Sequence, residues 1–357
     1  VAIGRGNLFR IIPHRGESWV CNDAHVLTLI HTVTGSIADI SLPSYFSEYK
    51  YYRHCHKLFS VPVQFQQAHP LPLDPYFLGV WFGDGTKSLN MVEITNIDPE
   101  ITALCQDMAT KYGLQTKCEK GKNIRLVRAR EIAGWGTISN PLLIALRSVV
   151  GMNATVPHAY LTASAEDRAA FLAGWIDTDG ERRLSGYRIT TRRDDYADAI
   201  CFVARSLGMK ALRGTKTIFV GPYKGRTYHS ININGYPIAP LPIRIPRKQA
   251  SPRLMNKDPL RTGFTVEPIG VGEYFGFELD GDGRFLLGDF TVTHNTNMML
   301  SMLPYLQTPT LIMVHTTELL NQTRKRLKEW LNIDAGILGG GKSGIKDVTV
   351  GMMQTLS

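Results

Sequence analysis

The sequence predicts an α+β chain of two or three domains, built around an internal repeat and closed by a short βαβ segment. Three observations carry that reading. At 357 residues and roughly 150 residues per domain, the chain holds more than one core. Two proline-rich stretches, residues 68–75 and 237–252, bracket a central domain, because proline withholds its N–H from helix and sheet. Inside that domain, Phe77-Leu78-Gly79-Val80-Trp81-Phe82-Gly83-Asp84-Gly85 and Leu172-Ala173-Gly174-Trp175-Ile176-Asp177-Thr178-Asp179-Gly180 align without a gap. Each is followed by a strand-like run and a helix closing on glycine, and 113 − 84 and 208 − 179 both give 29 residues from acid to glycine. The chain is a pseudo-dimer within one polypeptide.

Composition sets the outer limits. A 43 % apolar and 20 % charged chain buries cores, which excludes a disordered acidic solvator. No apolar run reaches the ~18 residues of a membrane span, so no membrane partner is expected. Five cysteines with no CxxC spacing argue against a disulfide framework and for a reducing compartment. The triplet His54-Cys55-His56 is read as structural rather than as a metal site. The start at Val1 lacks an initiator Met and a signal-peptide pattern and reads as the middle of something.

The net charge of +9 is unevenly placed. Residues 181–250 hold fourteen Lys/Arg against four acids, alternating with β-branched and aromatic residues as on an exposed strand face. A polyanion is the natural partner. The candidate contacts to such a polyanion are Arg182, Arg183, Arg188, Arg192, Arg193, Arg213, Lys216, Lys224 and Arg226.

Each repeated motif reads as an apolar helix with small residues four apart, Gly79 and Gly83 or Gly174 and Thr178. Such helices pack with close backbones. Their ends then bring Asp84 and Asp179 together at the negative ends of two helix dipoles. A hard divalent cation, Mg²⁺, would relieve that repulsion and activate water for phosphodiester hydrolysis.

The repeat resembles the LAGLIDADG family of homing endonucleases, the second copy matching the consensus at seven of nine positions. The resemblance implies two αββαββα halves, with two sheets gripping the DNA major groove. It also implies a monomeric nuclease that cuts both strands of a long asymmetric target in the intein-less host gene. Asp84 and Asp179 fill its two metal-binding acid positions. Many relatives inside inteins have a lysine two residues before the pair that is Val156-Pro157 here, where this chain has Ala154. That departure motivates the alternative of a catalytically weak DNA-binding relative.

The run Phe285 to Thr296 resembles an intein's C-terminal splice junction. An asparagine amide can cut the chain after itself, a histidine can move the proton, and the next hydroxyl can accept the upstream fragment. His294, Asn295 and Thr296 meet these needs in order. Ser18 to Leu29 resembles the second intein block through Asn22 and His25, whereas the block with the opening nucleophile is absent. Gly276 stands where many inteins keep a polar catalytic residue. The expectation is a fragment that has lost the upstream part of an all-β Hint-type splicing domain.

Downstream, Pro309 to Val314, a helix to Leu331 and Val348 to Met352 give a βαβ order that resembles a superfamily 2 helicase after its nucleotide loop. Gly336-x4-Gly341-Lys342-Ser343 fits the phosphate-loop pattern, but a strand follows where a helix is required, so it is read as a turn. The expected domains are 1–66 and 255–295 for splicing, 70–250 for the nuclease, and 296–357 for the helicase C-extein. A primarily ATP-dependent helicase is the remaining alternative. The expected location is cytoplasmic, or nuclear in a eukaryotic or viral host.

Overall fold

The computed structural model describes residues 2–66, 70–119, 121–128, 140–221, 224–235, 240–251, 258–276, 282–294, 308–314, 317–339 and 341–352. It is a mixed α+β structure with two compact units, Val1–Leu58 with Gly263–Phe285 and Val292–Ser357, and Phe59–Thr262 with Leu286–Thr291.

The first unit opens with β1 (Ala2–Pro13), β2 (Trp19–Asn22), β3 (Val26–His31) and β4 (Ile37–Ser41), followed by α1 (Leu42–Ser47), α2 (Lys50–Cys55) and β5 (His56–Phe59). β1 pairs antiparallel with β2, and β3 with both β4 and β5. A small core of Ile11, Leu27, Leu29, Leu42, Tyr45, Leu58 and Phe264 lies between them.

The second unit contains the repeat. Its first half runs α3 (Pro75–Asp84), β6 (Glu93–Thr95), α4 (Pro99–Lys111), β7 (Gln115–Glu119), β8 (Asn123–Val127) and α5 (Pro141–Val150). The short α6 (His158–Leu161) leads into the second half, α7 (Ala165–Asp179), β9 (Gly180–Arg183), β10 (Gly186–Thr191), α8 (Asp194–Ser206), β11 (Lys210–Thr217) and β12 (Thr227–Asn234). A two-residue strand β13 (Arg261–Thr262) ends the unit's main segment. The sheets are ordered β6-β8-β7 and β11-β12-β10-β9.

The halves depart from two equal αββαββα copies at one strand and one helix. Where the second half has β9, the first keeps a single bridge, Gly85 to Ile94. The intervening Ser88, Leu89 and Asn90 form a turn, with Leu89 at φ 55°. In place of a closing helix like α5, the described residues 241–250 of the second half lay Leu241, Ile243 and Ile245 into the core.

Both motif helices start from strong signals. Asp74 caps α3 by accepting from the Phe77 N–H, with Pro75 in the first turn. Ser164 caps α7, followed by Glu166 and Asp167 in its first turn. The helices then pack backbone to backbone. A Cβ on Gly79 would lie 2.0 Å from the Phe171 carbonyl oxygen, and one on Gly174 would lie 2.1 Å from that of Tyr76. Phe171 and Tyr76 occupy equivalent places in the two motifs, so the contact is two-fold symmetric. Trp81, Phe82, Phe171 and Trp175 are buried around it.

The chain re-enters the first unit through β14 (Phe264–Gly276), which pairs along nearly all of β1, then β15 (Arg284–Leu286) and β16 (Val292–His294). Farther on come β17 (Thr310–Val314), α9 (Thr317–Leu331), β18 (Gly336–Gly339), β19 (Lys342–Gly344) and β20 (Val348–Met352). β17 and β18 flank β20 in parallel, over a separate core that includes Ile312, Leu320, Leu327 and Val350. β18 and β19 pair antiparallel, so no helix follows the strand as a phosphate loop requires.

Gly174→Ala forces a methyl against helix backbone that cannot move aside. It should destabilise the second unit by about 1–3 kcal/mol, read as a lowered melting midpoint, with Gly79→Ala alike by symmetry.

Candidate functional site

Asp84 and Asp179 end α3 and α7, each followed by a capping glycine whose Cβ would strike a helix carbonyl, Trp81 at 2.4 Å or Ile176 at 2.5 Å. The helix crossing thus brings both carboxylates to one place. Asp84 accepts a 2.7 Å bond from Asn96; burial still raises its pKa against that bond. Asp179 is an exposed residue whose carboxyl nonetheless lies in a dense surround that includes a Trp175 side-chain hydrogen bond. Burial and then the charge of Asp84 push it up to about 6.

Two lysines complete the site. Lys87 Nζ donates to the carbonyls of Trp81 and Gly85, both at 2.7 Å, at the end of α3. Lys248 Nζ donates to those of Ile176, Asp177 and Thr178 at 2.8–3.1 Å, at the end of α7. Each ammonium sits on the negative end of a helix dipole. Burial lowers Lys87 to about 8, although Asp179 and Asp84 favour its charge. Burial likewise lowers Lys248. Position 154, where a lysine was sought, is a buried core site at which Ala154 adopts φ 50°. Sequence reasoning missed both cations: Lys87 looks like a turn residue, and Lys248 is 69 residues (248 − 179) beyond its acid.

Among the described residues no cluster of three or more His, Cys, Asp or Glu forms. A metal here would therefore take two carboxylates from the protein and the rest of its shell from water and phosphate oxygens. That hard-oxygen donor set fits a divalent cation such as Mg²⁺.

The second-half sheet carries the basic residues, but not all on one face. Arg188, Asn232 and Leu212 share one row across the strands, and Arg213 falls in the next row with Ile231. Arg213 therefore faces α8, bonding Asp194 and, at 2.5 Å, Asp198; the period of two puts it opposite Arg188. Arg182 shares a row with buried Tyr187. Arg193 pairs with Asp195 at 2.5 Å and lies 4.2 Å over the Tyr196 ring. Arg183 and Arg188 stand on the open face, each in reach of Glu181, and Lys216 faces the same way opposite Tyr228. Arg192, Lys224 and Arg226 are exposed. Tyr228, Ser230, Asn232 and Asn234 share that open face; their period-two alternation with Ile231 and Ile233 was a readable signal.

A second group of expected residues meets in the first unit. His25 Nε2 and Thr293 Oγ1 are 2.8 Å apart and buried. Burial, then the charge of His294, lowers His25 to about 4. Trp19 packs edge-on to His25 with ring centroids 5.1 Å apart. Among the described residues, Asn22 Nδ2 and Trp19 Nε1 are buried donors with no partner, and His294 is buried on β16. Asn295 and Thr296 lie outside the described residues.

The carboxylate pair ties stability to pH. Because Asp179 is raised to about 6, the folded chain holds its proton more tightly than the unfolded one. Its contribution favours folding at low pH and is lost as pH rises through about 6. Added MgCl₂ should therefore raise the melting midpoint at pH 7.5 and not at pH 5, and Asp179→Asn should abolish that response. An equal rise at both pH values would place the ion elsewhere.

Comparison with known proteins gives the site a context. Residues 155–237 match the homing endonuclease family model. The homothallic switching endonuclease of Saccharomyces cerevisiae is 24 % identical over 246 residues, 60 % of this chain and 42 % of that protein. The replicative DNA helicase DnaB of Mycobacterium intracellulare is 30 % identical over 150 residues, 40 % of this chain and 20 % of that protein. The crystal structure of I-DmoI in complex with DNA and Mn has a TM-score of 0.31 at 14 % identity, covering 51 % of this chain and 98 % of that one. The chain spans less than half the length of these two curated relatives. The family match places a homing-endonuclease-like segment at residues 155–237, which holds the second motif helix with Asp179 and its sheet.

Proposed function

We propose that this chain is a site-specific double-strand DNA endonuclease whose Asp84–Asp179 pair holds Mg²⁺ or a similar divalent ion. The observation that carries the reading is the pair itself: two equivalent acids at the ends of two symmetrically packed helices, beside an open-faced sheet bearing Arg183, Arg188 and Lys216. A bound divalent ion would supply an activated water and a counter-charge for the leaving oxygen. The protein's own part is positional. The helix crossing sets the carboxylate spacing, Lys87 and Lys248 add positive charge where a phosphate would enter, and Asn96 orients Asp84. The open face, with Asn232 and Ser230 between cations, suits hydrogen bonding to base edges in a major groove. Both motifs lie in one chain, so a monomer supplies both acids.

The test is incubation with the intein-less host gene and Mg²⁺. Wild type should linearise it, and Asp84→Asn and Asp179→Asn should each slow cleavage by about 100-fold or more while still binding DNA. Binding without cleavage, indistinguishable from these variants, would leave a DNA-binding relative. Lys216→Ala should weaken binding across all sequences and reduce the salt slope by about one unit.

A second reading is favoured by the His25–Thr293 contact next to buried His294. In it the first unit is a splicing element in which His294, Asn295 and Thr296 cut and pass on the chain, with residues 296–357 a helicase segment. Burial, which lowers the His25 pKa to about 4, leaves its ring neutral at pH 7. Slow release of the 296–357 tail should be visible by intact mass, and Asn295→Ala should stop it. An unchanged mass after days would refute the cleavage step.

A further inference from the structure

We propose that Asp177 and Tyr76 are positioning residues that clamp residues 241–250 onto the end of the second motif helix, so that Lys248 stands beside Asp179. The inference rests on the nuclease reading of that site.

Asp177 is fully buried. Its Oδ2 accepts from Tyr76 Oη at 2.6 Å and from the Arg244 N–H at 2.7 Å, and its Oδ1 accepts from the Ile245 N–H at 3.3 Å. The Arg244 guanidinium covers the Tyr76 ring at 3.8 Å. Ile243 and Ile245 enter the core, and Tyr187 Oη accepts from the Ala250 N–H at 2.9 Å. Between these fastenings Lys248 reaches three carbonyls at the end of α7. A carboxylate taken out of water is tolerated only when donors occupy its oxygens. Here two of the three donors are backbone amides of the delivered segment.

The repeat supplies an internal control. The positions equivalent to Tyr76 and Asp177 in the other copy are Phe171 and Phe82, a T-shaped aromatic pair with centroids 5.9 Å apart. The same space is therefore fillable without polar atoms, and packing does not call for a buried acid. The halves differ in how each gains its cation. In the first half, Lys87 comes three residues after Asp84 and needs no outside segment. In the second, the chain runs away along β9 and β10, and Lys248 must be brought back from beyond β12. The polar pair is found only where such a segment has to be caught.

The test is a double-mutant cycle on the full chain, with single-turnover cleavage of a plasmid carrying the intein-less host gene and DNA affinity measured in Ca²⁺. Asp177→Asn keeps the shape, and Tyr76→Phe removes one bond with less risk to folding. Asp177→Asn and Lys248→Ala should each slow cleavage by about 10- to 100-fold with affinity within about twofold. The Asp177→Asn/Lys248→Ala variant should be no slower than Lys248→Ala alone. Tyr76→Phe should fall between wild type and Asp177→Asn. Amide exchange at Arg244 and Ile245 should speed up in Asp177→Asn. Multiplicative losses in the double variant, or lowered affinity with an unchanged rate, would overturn the inference while wild-type cleavage kept the nuclease reading intact. A wild type that cuts no DNA would overturn both.

Discussion

Close approach of two helix backbones is the constraint on which the central unit depends. Gly79 and Gly174 leave no room for a Cβ between α3 and α7, so the helices meet at main-chain distance and everything at their ends inherits that geometry. Two carboxylates are thereby held where one disfavours ionisation of the other, a state a cation relieves. Two lysines donate to carbonyls at the same helix ends, where the helix dipoles are negative. One crossing therefore sets the acid pair, the dipole ends and the cations together.

Pseudo-symmetry holds at that crossing and weakens outward. The Gly85–Ile94 bridge matches the Gly180–Ile189 pair of β9 and β10, so the first pairing after each motif is kept. Beyond it the sheets diverge in strand number and in charge. The first-half sheet sets Arg125 between Glu93 and Glu119; the second opens with Arg183, Arg188 and Lys216 on one face. An asymmetric polyanion would meet two unlike surfaces, the second supplying most of the salt-dependent attraction.

The first unit buries its own polar cluster. His25, Thr293 and His294 are buried, and burial of Asp39 is outweighed by bonds from Arg284 and Thr28, with His294 adding to the effect. Among the described residues the Trp19 indole N–H and the Asn22 amide nitrogen beside His25 have no hydrogen-bond partner, whereas buried polar groups are ordinarily paired.

Much of this was legible in the sequence because it depends on local pattern. The paired Gly-x-x-x-small spacing and the terminal acids announced the crossing, and the constant interval from acid to glycine announced the repeat. The βαβ order of the tail followed from hydrophobic period and turn residues. The basic segment was legible as charge but not as a face: Arg213 and Arg188 differ only in strand parity, which register decides. Tertiary structure alone placed cations beside the acid pair. It brought Lys248 from a proline-rich stretch to the end of α7, while Ala154 went into the core. The sequence by itself determined which two acids meet, since that needs only small residues on two helices. Only the fold decided which charges stand beside them, because chain segments far apart in sequence are brought together by packing and buried hydrogen bonds rather than by spacing.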